Sequence, residues 1–175
     1  ERTSFSRSDS MRELDSLVEI RLLLSILEES YSTKAWHGPN LKGSLRGVTA
    51  EMAAWRPGAK RHNIWEIAVH AGYWKYAVRR SLTGDKRGSF VLSGSNWFRR
   101  PIEASEQAWR QDLKLLDTEH SKLREAIGRL KRGELELTPR GRKVSNATLI
   151  YGIACHDVYR AGQIQLLKRL HDVTV

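Results

Sequence analysis

The stretch NATLIYGIACHDVYRAGQIQLLKRLH, residues 146–171, decides the fold. Steps of four and three from Leu149 reach Ile153, His156, Arg160, Gln163, Leu167 and Leu170. That spacing puts all seven on one face of an α-helix. The ends of the stripe are apolar, as a face packed on a core should be. Its middle three residues hydrogen-bond or carry charge. Burying such groups without partners costs about 1–3 kcal/mol each, and more for an ion. Three in a row on an inward face therefore point to a site or a cavity.

Three other segments carry the same period. The first, 12–31, aligns Leu17, Ile20, Leu24, Leu27 and Tyr31. The second, 63–82, aligns Ile64, Ile67, Ala71, Trp74 and Val78. The third, 102–132, aligns Trp109, Leu113, Leu116, Leu123, Ile127 and Leu130. Helices of about 20 residues are about 30 Å long, the length of a bundle, so the pattern predicts an all-α four-helix bundle. The breaks agree. His37-Gly38-Pro39-Asn40 stops the first helix, and Arg56-Pro57-Gly58 precedes the second. Gly84 ends the second, Pro101 stands where the third begins, and Gly133 with Pro139-Arg140-Gly141 leads to the fourth. Thr49 suits the cap of a short turn, and Ser145 or Asn146 that of the last helix. Ser89–Ser93 is the single weak strand candidate. Residues 1–10, polar and rich in Ser and Arg, read as a flexible lead-in to one domain over 11–175.

Composition narrows the function. At 40 % apolar and 29 % charged residues, the chain is globular rather than disordered. No run approaches the roughly 18–20 apolar residues of a membrane span. The single cysteine, Cys155, excludes an intrachain disulfide and fits a reducing, cytoplasmic setting. It reads as a buried, inert thiol. The net charge of +10 invites a nucleic-acid reading. However, Arg79-Arg80, Arg99-Arg100, Lys131-Arg132 and Lys168-Arg169 sit near the ends of different helices and form no tract, so nucleic acid is not the expected partner.

The second helix mirrors the fourth. His70 stands between Ile67 and Trp74 on the inward stripe, with Glu66 one turn earlier. Two facing helices would bring His70 near His156, and bundles build metal sites this way. A lone histidine on an apolar face is usually a core residue bonded to a carbonyl. His120 reads as such a case, His62 as a residue capping or flanking the second helix, and His171 as solvated.

Three strings carry a family resemblance: Trp36-His37-Gly38-Pro39, then Asn63-Ile64-Trp65-Glu66-Ile67-Ala68-Val69-His70, then His156-Asp157-Val158-Tyr159-Arg160-Ala161-Gly162-Gln163-Ile164. In order, spacing and helix context they resemble the DinB/YfiT-like superfamily, over about residues 11–171. The resemblance implies a four-helix bundle holding a divalent metal such as Ni or Zn on three histidines, and frequent homodimers. It also implies thiol-transferase-like chemistry on low-molecular-weight thiols in some members. His70 and His156 match two of the ligands. The third is Arg160 here. Guanidinium has no lone pair to give and stays protonated, so the metal is expected to be weakened or lost.

Three arrangements are open at this point. Arg160 swings to the rim and leaves a two-histidine site completed by Glu66, His37 or water. Arg160 takes the metal's place and binds an anion or the Glu66 carboxylate. Or the site is dead and the bundle serves otherwise. The second is preferred, because arginine restores a positive charge and offers a fork suited to carboxylate or phosphate. His37 and Gln163 are candidate pocket-lining residues. Whether the chain is a metal-dependent enzyme or a metal-free anion binder turns on this one position.

Overall fold

The computed structural model describes residues 7–88, 90–131 and 133–174, with side chains from Leu17 onward. The helices are α1 (Arg7–Tyr31), α2 (Leu41–Ser44), α3 (Ala50–Ala54), α4 (Ile64–Thr83), α5 (Glu106–Gly128) and α6 (Asn146–Thr174), and no strand occurs among the described residues. None of them is long and apolar enough to cross a membrane.

The four long helices make the bundle. α4 and α1 each pack on both α5 and α6, so α1 and α4 face each other across one diagonal. Side-chain pairs give the directions. Trp65 meets Trp109, and Arg79 reaches Glu119, so α4 and α5 are parallel. Tyr31 bonds Asp117 and Glu28 pairs with Arg124, so α1 runs opposite to α5. Lys75 meets Asp157 while His70 meets Arg160, so α6 runs opposite to α4. Parallel neighbours need a connector that travels back along the bundle. Residues 84–105 provide it, ending where Asn63 Nδ2 donates to the Arg100 carbonyl at 2.9 Å.

Local chemistry sets most boundaries. Asn63 caps α4 by accepting from Glu66 N at 2.8 Å, and Thr49 caps α3. Gly84 ends α4 at φ 74°, a left-handed conformation that glycine tolerates without strain. Ser105, not Pro101, caps α5, so this helix begins at Glu106 and ends at Gly128, inside the expected 102–132. α1 starts at Arg7, ahead of the expected residue 12, because no Gly or Pro interrupts residues 7–31. Part of the expected flexible lead-in is thus helical, and residues 1–6 lie outside the described ones. In the strand candidate residues 90–92 form bends and Ser93 is irregular, and its Ser89 lies outside the described residues.

The core has two apolar clusters. One centres on Ile64, Trp65, Ala68, Trp109 and Ile164, the other on Leu27, Leu123, Ile127 and Ile150. A polar layer separates them. Lys75 and Asp157, both with fully buried side chains, form an ion pair there. The Lys75 ammonium lies 4.6 Å from the centre of the Tyr31 ring, which stacks on His120 at 3.7 Å.

This layer corrects the reading of α6. Its buried face runs through Ile150, Ile153, Ala154, Asp157, Ala161, Ile164 and Leu167. His156, Arg160 and Gln163 are half-buried, and Leu170 is exposed. The inward stripe is therefore turned by about one residue, or about 100°. The turn also leaves Cys155 exposed, not buried. His171, expected to be solvated, is partly covered by Trp55.

Candidate functional site

His70 comes from the middle of α4, and its placement there fixes its tautomer. His70 Nδ1 lies 2.7 Å from the Asn96 carbonyl, which only accepts, so Nδ1 carries the proton and Nε2 the lone pair. His156, from α6, brings its own Nε2 to 3.3 Å from that atom. Arg160, one turn further along α6, closes the group. Its Nη2 donates to His70 Nε2 at 2.9 Å, and its Nε donates to His156 Nε2 at 3.1 Å. One edge of the guanidinium thus bridges two imidazole lone pairs. Nη1 donates to Gln163 Oε1 at 2.7 Å.

Aromatic faces complete the setting. The guanidinium carbon lies 5.2 Å from the Trp97 ring centre and 5.0 Å from that of Tyr159. Trp97 is itself sandwiched between His70 and His62, each at 3.7 Å. Trp97 and Asn96 lie in the irregular connector, where no periodicity flags a residue. Sequence reasoning missed both.

The guanidinium fixes His156 as well: with Nε2 accepting, the proton sits on Nδ1, which is buried without a hydrogen-bond partner. Burial, opposed by the Asn96 bond and helped by the Arg160 charge, pushes His70 down to about 4. Burial first, then Arg160, pushes His156 down to about 3. Both imidazoles are therefore neutral at pH 7, as acceptors of guanidinium N–H must be. Burial also lowers Arg160 from its usual value. The group still carries its charge, because arginine starts so far above neutrality.

The structure joins His70, His156, Arg160 and Gln163, but neither Glu66 nor His37 belongs with them. The Glu66 carboxylate is gripped by Arg56, with Nη1 at 2.9 Å from Oε2 and Nη2 on Oε1. His62 Nδ1 approaches it at 2.8 Å. Burial works to raise this carboxyl, yet Arg56 and His62 hold it below its ordinary range. It braces the start of α4 and does not reach Arg160. His37 is exposed in the loop after α1, beside a Trp36 that is 99 % exposed.

A helical bundle with a histidine pair facing across two antiparallel helices, bridged by a cation, is the class of protein defined here. The chain belongs to the DinB superfamily, whose family model matches residues 35–164. No curated protein and no solved structure gives a match.

The metal implied by the family resemblance does not fit these residues. Both Nε2 lone pairs already accept guanidinium protons, and the third position is a cation. Glu66 is committed to Arg56. Among the described residues, no group of three or more His, Cys, Asp or Glu is placed to hold an ion.

Proposed function

We propose that this protein is a metal-free member of its superfamily that binds a small organic anion, with Arg160 as the anchor. One observation carries the reading. Arg160 is a half-buried cation whose three hydrogen-bond partners, His70, His156 and Gln163, are all neutral. A charge held away from water without a counter-charge is costly unless something supplies one. Three bonds leave two of the five guanidinium N–H groups for a ligand, enough for a forked grip on a carboxylate or phosphate.

The adjoining cleft suggests the rest of the ligand. Its volume is about 480 Å³, within the range of small-molecule sites. Ile67, Trp97, Leu166 and Leu167 line it, with Arg160, Gln163, His62 and the exposed Arg61 as polar members. A cation beside an apolar wall suits a carboxylate with a hydrocarbon or aromatic tail. Against thiol-transferase-like chemistry on a bound metal, both histidine Nε2 lone pairs accept from Arg160.

Thermal melting tests the reading. Monocarboxylates of increasing chain length should raise the midpoint progressively. An excess of about 100 times the dissociation constant adds about 2.7 kcal/mol of stability. Arg160→Gln should melt near the wild type and lose the ligand response. A flat response across carboxylates and phosphate would refute the proposal. The companion variant Arg160→His restores a third imidazole and should create zinc or nickel affinity that the wild type lacks.

A further inference from the structure

A second polar feature lies near the C-terminal end of α4, apart from the Arg160 cleft. Two adjoining cavities, of about 390 and 500 Å³, share Arg80, Arg87 and Arg142 as wall residues. The smaller adds Arg140, so four guanidinium groups border it. Its one carboxylate, Asp85, is engaged by Arg79 at 3.0 Å. Arg142 is held in place, with Nε and Nη2 donating to Ser81 Oγ at 3.0 and 2.8 Å. Arg87 and Arg140 are exposed, and neither has a carboxylate within ion-pair distance among the described residues. The larger cavity is walled by aromatic rings, with Phe90 set 5.2 Å from Tyr76 and Trp74 nearby.

We infer that the paired cavities bind a phosphate-bearing small molecule with a planar ring, of the chemistry of a nucleoside monophosphate. Each half of such a ligand meets its match. A phosphate monoester carries about −1.5 to −2 charges at pH 7 and oxygens that pair with arginine forks. A planar ring packs against aromatic walls, as bases do in single-strand binding proteins. The roughly half-unit negative charge of the α4 C-terminus opposes an anion, but four guanidinium groups outweigh it. Nucleic-acid polymers fit less well. They ask for cationic groups spread along a track, whereas these arginines gather at one spot and the larger cavity has the volume of a small-molecule site.

Calorimetric titration of the full chain tests this with four probes: a nucleoside monophosphate, its unphosphorylated nucleoside, inorganic phosphate, and a single-stranded oligonucleotide of about 12 nucleotides. The monophosphate should bind at least about tenfold more tightly than either half alone. Arg87→Gln/Arg140→Gln changes only exposed residues, so its melting point should match the wild type while its affinity for the monophosphate falls about tenfold or more. Arg160→Gln should bind the monophosphate as the wild type does, which keeps this result separate from the first cleft. No saturable binding at about 10 mM monophosphate overturns the proposal. So does unchanged affinity in the double variant, and so does an oligonucleotide that binds while the monophosphate does not.

Discussion

α4 and α6 meet at two polar contacts about one turn apart, and the two are built to opposite ends. At Lys75 and Asp157, ammonium and carboxylate touch with both side chains fully buried. At His70, His156 and Arg160, a guanidinium meets only lone pairs, at the edge of an open cleft. His156 and Asp157 are sequence neighbours, and the roughly 100° between successive helical residues sends one to the cleft and the other to the centre. The closed contact cancels its own charge and ties the two core clusters together. The open one holds a half-buried positive charge with no carboxylate beside it among the described residues, ready to meet a ligand. Burial of polar groups is thus a poor guide to function by itself. The sharper sign is a partly buried charge, at a cleft, without its opposite.

The strongest way to break this contrast is to remove one charge from each contact. Asp157→Asn strands the Lys75 ammonium in the core and should cost about 3–5 kcal/mol in urea denaturation. Replacing both partners, as Lys75→Met/Asp157→Leu, should recover most of that loss, because the pair itself must repay its desolvation. Arg160→Gln removes no buried counter-charge and should cost less than about 1 kcal/mol. Equal losses at the two contacts would mean that Arg160 is scaffold.

Acid should sharpen the contrast next. His70, His156 and His120 are held at about 4, 3 and 3, against 6.5 in the unfolded chain, chiefly by burial. Below pH 6.5 the unfolded state therefore binds more protons than the folded one. Stability is whole above 6.5 and falls as pH drops through 6.5 toward 4. Asp157 acts the other way. Burial outweighs Lys75 and raises it to about 6, so the folded state takes up this proton first. The net uptake on unfolding at pH 5 is about two protons. The denaturation midpoint should decline accordingly between pH 7 and 5, and a midpoint that does not move would contradict the neutral-imidazole assignment.

These contacts differed in how far they could be read from sequence. The all-helical fold was legible because apolar residues recur at helical spacing and because Thr49 and Gly84 mark ends with chemistry of short range; the cap of α4 is Asn63, one residue beyond the His62 that the sequence suggested. His70, His156, Arg160 and Gln163 were legible because polar residues stood at helical spacing among apolar ones. The exact phase of α6 was not. Val158, Tyr159 and Leu166 are exposed apolar residues, and they blur the boundary between the two faces. Lys75 and Asp157 were invisible for a related reason. Each reads as a solvated residue, and only the pairing across two helices makes burial tolerable. Trp97 sits in the irregular connector, and the Arg80, Arg87, Arg140 and Arg142 group forms only when distant segments meet, so no local pattern announces either.

The smallest expected effect tests the guanidinium bridge most directly. Burial is the larger cause of the low values at His70 and His156, and the Arg160 charge adds to it. Arg160→Gln leaves most of the burial and removes the charge. Each imidazole should therefore titrate higher than in the wild type but still below 6.5, as followed by NMR of the ring protons. His120 is depressed by burial and then by the charges of Lys75, Arg124 and Lys42, with no contribution from Arg160, so its titration should stay put and serve as the internal control. If all three moved together, a general loosening of the bundle would explain the result. If His70 and His156 stayed still, the guanidinium would not sit on their lone pairs, and the contrast between the two contacts would lose its basis.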